Sequence, residues 1–278
     1  MDSGLKIAVT GKGGVGKTTV AAMLAHFAAR ENFRVLAVDA DPDANLAAAL
    51  GIPRDERERI VPLSERRALI EERTGAKIRE YGQIFKLNPR VSDIAENESA
   101  RFRGISLLVL GAIERGLSGC ACPESVLLRA LLADLILYKE DCVIVDMEAG
   151  LEHLGRGTAQ GVDLMLVVVE PSRRAVETAA SIRRMAAEIG VKRVAVLGNK
   201  SAGADDESFL EQAFSGGEYL GHLNFDQTIK RADYGDRPLV DLADEVLMRR
   251  FQELWEELKS LVTGASASTP AQPSQHGS

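Results

Sequence analysis

The chain alternates between short apolar runs and longer stretches with helical spacing. Leu5–Thr10 is an apolar run that ends at a glycine-rich turn, and Arg34–Asp39 (RVLAVD) is a second. Ile105–Leu110, Cys142–Asp146, Leu164–Val169 and Arg193–Leu197 repeat the pattern. Such runs predict strands buried on both faces. Lys17–Arg30, Ser125–Tyr138 and Ala175–Ile189 carry apolar residues at helical spacing, and Val240–Val262 predicts a terminal amphipathic helix. Strands alternating with helices predict an α/β fold, a mostly parallel sheet flanked by helices on both faces. Residues 53–104 break the rhythm. They are charged and weakly periodic, with a brief apolar segment near Ile84–Leu87, and read as an irregular insertion within one domain spanning 1–263. Residues 264–278 (GASASTPAQPSQHGS) are small and polar, a composition that predicts a disordered tail. No internal repeat is visible.

Composition narrows the function. The 278 residues are 45% hydrophobic and 27% charged, ordinary for a globular protein. Lysine and arginine number 34 against 41 acidic residues, a net charge of −7. That excess weighs against broad nucleic-acid binding. No apolar run reaches the ~18 residues that span a membrane, and the N-terminus lacks the order of a signal peptide. The expectation is a cytoplasmic protein with no membrane and no nucleic-acid partner. Thiols stay reduced there, so the three cysteines read as ligands, reactive thiols or core residues rather than disulfides.

The chemistry starts at Gly11-Lys12-Gly13-Gly14-Val15-Gly16-Lys17-Thr18-Thr19. The stretch fits both a dinucleotide fingerprint and a triphosphate P-loop. Asp39, about 20 residues on, would suit the ribose of a dinucleotide. Lys17-Thr18 decides for the triphosphate. Backbone N–H groups wrap the phosphates, the lysine neutralises them, and the threonine hydroxyl ligates Mg²⁺. Such a site needs a carboxylate at the end of another strand, and Val143-Ile144-Val145-Asp146 supplies one.

The second strand ends VDADPDANLAAALG, and Lys12 stands near the start of the loop beside the usual Lys17. Together these resemble the deviant Walker A class of P-loop ATPases, which includes ParA, MinD and nitrogenase iron protein. The resemblance implies a three-layer P-loop NTPase fold and a homodimer that encloses two ATP molecules. It implies that Lys12 reaches the partner's phosphates, that Asp41 orients the attacking water, and that Asp39 joins the magnesium and switch network. The catalytic set is then Lys12, Lys17 and Asp41. Asn199-Lys200 resembles the class's adenine-contacting turn. A guanine-reading pattern would need an aspartate where Ala202 stands, which favours ATP over GTP.

Cys120-Ala121-Cys122 indicates what the switch carries. A C-x-C pair is half of a four-thiolate site, and a two-fold dimer would bring the other half. The bland alternative is two small residues in a tight turn. Cys142 opens a buried strand and reads as core. There is no cysteine after Cys142, nor in DMEAGLEHLGRG, which argues against the cluster sites of iron–sulfur relatives. VTGKGGVGKTTVAA, VDADPD, LNPRV, GCACPE and DMEAGLEHLGRGTA resemble the CooC-type maturation ATPases of carbon monoxide dehydrogenase and the related factor for acetyl-CoA synthase. The resemblance implies ATP-dependent nickel insertion into the client's cluster, with Cys120 and Cys122 holding Ni²⁺ or Zn²⁺ at the dimer interface. Glu152 and His153 could touch metal or client; against that, Glu152 reads as a switch residue and His153 as surface. The alternatives are a partitioning or positioning ATPase and an iron–sulfur reductase.

Overall fold

A computed structural model describes residues 4–77, 86–112, 122–138, 142–149, 154, 156–234 and 237–264. In chain order the elements are β1 (Lys6–Gly11), α1 (Lys17–Arg30), β2 (Val35–Asp39), α2 (Leu46–Leu50), α3 (Arg54–Arg57), a 3-10 turn at Leu63–Glu65, α4 (Arg67–Thr74) and α5 (Ile94–Glu98). There follow β3 (Ala100–Phe102), β4 (Ile105–Val109), α6 (Pro123–Tyr138), β5 (Cys142–Asp146), α7 (Arg156–Ala159), β6 (Leu164–Val169) and α8 (Arg173–Ile189). The chain closes with β7 (Val194–Ser201), α9 (Ala204–Ala213), β8 (Tyr219–Asn224), α10 (Gln227–Tyr234), α11 (Leu239–Leu242) and α12 (Glu245–Thr263).

Among the described residues these strands form an eight-stranded sheet in the order β3-β4-β2-β5-β1-β6-β7-β8. Every pairing is parallel except β3 with β4. All residues of β2, β5 and β6 are buried, as their unbroken apolar runs require. One core lies between the sheet and α1, α2 and α12, where Phe251, Leu254, Trp255 and Leu258 pack. The other lies beneath α4, α6, α8 and α9. Helix α8 buries Ala175, Ala179, Ile182 and Ala186, one stripe at helical spacing. The Ser172 hydroxyl caps it, accepting from the Ala175 N–H at 3.2 Å. No helix among the described residues is long and apolar enough to cross a membrane.

The segment expected to be irregular is partly regular. Residues 53–104 hold α3, α4, α5, the 3-10 turn and the antiparallel edge strand β3. Each element is short and leans on the main body, so no long periodic pattern marks it in the sequence. Strand β8 was not anticipated either. Four of its six residues are only half-buried, which leaves no apolar run to read. Ile84 and Phe85 of the expected apolar segment Ile84–Leu87, and residues 265–278 of the tail, lie outside the described residues.

Candidate functional site

The site lies where β1, β2 and β5 end on the same edge of the sheet. Residues Val9 and Asp146 are register partners, as are Asp39 and Asp146, so two carboxylates stand side by side beneath the phosphate loop. The chain leaves β1 toward β2 on one side, while β6 flanks β1 on the other. Ligands of open α/β sheets bind at such a crossover. The loop needs its glycines. A Cβ on Gly11 would run into the Val168 carbonyl on β6, and one on Gly16 (φ +96°) would strike the Asn199 side chain. Gly16 caps α1 without a side-chain hydrogen bond, and the first turn holds no acidic residue. Its N–H groups are left for an anion.

Asp146 and Asp39 are both fully buried. Neither Asp146 carboxylate oxygen has a hydrogen-bond partner. Burial pushes its pKa up to about 6, while the neighbouring Thr18 hydroxyl and the Lys17 ammonium act in the opposite direction. Asp39 is pushed up to about 7, first by burial, against the Leu46 N–H, and further by the Asp146 charge. Two buried carboxylates and a hydroxyl, one carboxylate with orphaned oxygens, form an oxygen-only donor set that fits Mg²⁺. Asp39 is already engaged. Its Oδ2 accepts from the Leu46 N–H at 2.9 Å and its Oδ1 from the Asp41 N–H at 3.3 Å. It fastens both ends of the 40–45 loop.

The two motif lysines sit differently. Lys17 is buried, and its Nζ lies 2.6 Å from Asp41 Oδ2. Lys12 is at the rim with its side chain 40% exposed, and its Nζ lies 3.8 Å from Glu170 Oε1. Sequence reasoning did not single out Glu170. The available signal was an acidic residue ending a buried strand just before Pro-Ser. Asn199 Nδ2 donates to the Val15 carbonyl at 2.7 Å, and Lys200 Nζ donates to the Gly14 carbonyl at 2.5 Å. Asn199 and Lys200 lie inside β7, not in a turn after a strand ending at Leu197, and their side chains touch the phosphate loop itself. His26 on α1 bonds the Leu50 carbonyl through Nε2 at 3.1 Å, and burial lowers its pKa to about 4.

Of the candidate metal ligands, Cys122 is described and Cys120 lies outside the described residues, as do Glu152 and His153. Cys122 immediately precedes α6 and is a half-buried free thiol. Its Sγ accepts from the Ser125 N–H at 3.4 Å. Burial raises its pKa, and the Glu124 charge adds to the rise. Cys142 is fully buried in β5, as expected of core.

Comparison with known proteins places this arrangement. The CobQ/CobB/MinD/ParA nucleotide binding domain family matches residues 6–239. The carbon monoxide dehydrogenase accessory protein CooC of Rhodospirillum rubrum is 44% identical over 239 residues, 86% of this chain and 90% of that protein. An uncharacterized ATP-binding protein of Methanocaldococcus jannaschii is 45% identical over 237 residues, 84% of this chain and 91% of that one. Among solved structures, the septum site-determining protein MinD of Pyrococcus horikoshii, complexed with Mg-ADP, superposes with a TM-score of 0.65 at 19% identity. That match covers 93% of this chain and 96% of MinD. The chain is a homologue of CooC, belongs to the CobQ/CobB/MinD/ParA nucleotide-binding family, and is an ATPase.

Proposed function

We propose that this ATPase matures a nickel enzyme, carbon monoxide dehydrogenase or acetyl-CoA synthase, by coupling ATP-driven dimer closure to metal insertion. One observation carries the reading: similarity to a carbon monoxide dehydrogenase accessory protein along 86% of the chain. The C-x-C pair agrees with it, since thiolates suit both Ni²⁺ and Zn²⁺.

In this reading the Gly11–Thr19 backbone wraps the phosphates. Thr18 and Asp146 would hold Mg²⁺, with Asp39 behind them, and the ion would supply positive charge to the phosphates. Lys17 exchanges its pairing with Asp41 for the phosphates. The freed Asp41 carboxylate then orients the attacking water, a positioning task of the kind phosphoryl transfer needs. Lys12 leaves Glu170 and crosses to the partner's nucleotide. Cys120 and Cys122 meet their two-fold copies around the metal cargo, and the loss of phosphate reopens the dimer.

The test is a nickel and zinc titration of reduced protein, nucleotide-free, with ADP and with a slowly hydrolysed ATP analogue, while mass is followed. The expected result is metal bound by a dimer, lost in Cys120→Ser/Cys122→Ser with ATP binding retained. Unchanged uptake in that double variant would refute the metal site. A nucleotide-dependent DNA gel shift indifferent to metal would replace this reading with a partitioning one.

A further inference from the structure

Helix α2 is held by a side chain at each end, and one of the two is a buried histidine. At its start the Leu46 N–H donates to Asp39 Oδ2 at 2.9 Å. At its end Gly51, at φ +88°, turns the chain away. The Gly51 N–H donates to the Ala48 carbonyl and the Ile52 N–H to the Ala47 carbonyl. That cap does not use the Leu50 carbonyl, which takes its bond from His26 Nε2 at 3.1 Å. A carbonyl only accepts, so Nε2 carries the proton. His26 lies about two turns along α1 from Thr18 and is 5% exposed. Burial keeps its ring neutral, with a pKa lowered to about 4. The far side of this end is closed as well, since a Cβ on Gly51 would strike the Pro238 ring.

We propose that His26 is a positioning residue for ATP hydrolysis, pinning the far end of α2 to α1 and so limiting how far the 40–45 loop carries Asp41. The inference rests on Asp41 being the residue that orients the water. The path is short. The Asp41 and Leu46 N–H groups share the Asp39 carboxylate, and the five residues of α2 separate that clasp from His26. A helix of this length does not stand alone and keeps its place through its contacts. Leu46 and Leu50 are fully buried, which fixes how deep α2 sits. Apolar burial is non-directional, so it does not fix how α2 is turned. The His26 bond is directional and does. Burying a polar ring costs free energy that only its hydrogen bond offsets, so packing alone gives no reason for histidine here.

A pin and a core filler differ in what their loss changes. His26→Leu keeps the bulk and removes the donor, while His26→Gln keeps a donor. Each variant is measured for ATP affinity, turnover, thermal unfolding and hydrogen exchange of the amides of residues 40–52. His26→Leu should lose about tenfold in kcat, the size of one buried hydrogen bond, with ATP affinity within about twofold of wild type. Its amides at 40–52 should exchange faster while the rest of the sheet is unchanged. His26→Gln should restore both. If His26→Leu does not fold, His26→Met takes its place, a flexible chain that fills the same space without a donor. A lower thermal midpoint with wild-type kcat and exchange would overturn the proposal and leave His26 a core residue. ATP affinity that fell along with kcat would overturn it too, by placing the effect on the phosphate loop through α1. Full turnover in Asp41→Ala would overturn the water-orienting reading beneath it, while exchange at 46–52 still decides whether His26 pins α2.

Discussion

The floor and the rim of the site each hold a lysine from the same nine-residue motif, in opposite surroundings. At the floor, Lys17 is buried against Asp41, and Asp39 and Asp146 lie beside them fully buried. At the rim, Lys12 is half in solvent and meets Glu170 at a longer distance. A buried pair is hard to break without a replacement partner, because each lone ion would be left desolvated. An exposed pair is worth little and is exchanged freely. The floor is therefore built to respond to an arriving anion, and the rim to change partners.

The largest expected effect breaks the floor. Lys17→Ala removes the buried cation and should lower ATP affinity by about 100-fold, the scale of a charged hydrogen bond lost in a desolvated site. Equilibrium binding with a fluorescent nucleotide measures it, and normal affinity would refute the phosphate role. Asp41→Ala separates the two duties of that carboxylate. It should bind ATP at least as tightly as wild type, since Lys17 loses its competing partner, while steady-state hydrolysis falls by about 100-fold or more. Full turnover would move the water-orienting role elsewhere.

The rim should respond in another currency. Lys12→Gln should leave ADP affinity within about twofold and abolish the ATP-dependent rise in mass seen by light scattering. Glu170→Gln should have the smallest mutational effect. It releases Lys12 from an exposed pair, so dimerisation with ATP should strengthen only a few-fold. Equal effects from Lys17 and Lys12 variants on ADP affinity would erase the contrast between floor and rim.

Acidity sharpens the same contrast. Folding raises Asp39 to about 7 and Asp146 to about 6, above the ordinary carboxylate value near 3.8. A carboxylate raised in this way favours the folded state at low pH, and that advantage is lost as pH rises through the folded value. The thermal midpoint of the Mg²⁺-free protein should therefore fall between pH 5 and pH 7, against the opposing contribution of His26, whose lowered value of about 4 favours the folded state as pH rises. Mg²⁺ with ADP needs the ionised carboxylates, so its stabilisation should grow over the same window. A midpoint indifferent to pH, with and without Mg²⁺, in a His26→Gln background that removes the opposing group would show that neither carboxylate titrates there.

The floor was legible in the sequence because its parts are local. An apolar run, a glycine turn and Lys17-Thr18 are consecutive, and Asp146 ends a strand that could belong only in the middle of a sheet. The rim was not, because the Lys12–Glu170 contact depends on β1 and β6 lying side by side, which spacing does not encode. Asn199 was found by motif, but its bonds to the phosphate loop appear only once β7 is placed. The edges of the sheet were missed for another reason. Strand β3 has three residues and β8 is half-buried, so pairing with a neighbour, not an apolar run, makes them strands.

One side chain closes the loop after β2 into a ring. With Asp39 holding the Leu46 N–H through one oxygen and the Asp41 N–H through the other, residues 40–45 begin and end at a single clasp. Leu46 and Asp39 are both buried, so the clasp is anchored in the core. The segment can swing at Asp41 without dragging the sheet, and its travel is set by the few residues in the ring. Its motion then belongs to the nanosecond-to-microsecond range of loops rather than the slower range of domains. In the proposed cycle phosphate is registered at the speed of a short tether, and dimer closure is the slower step.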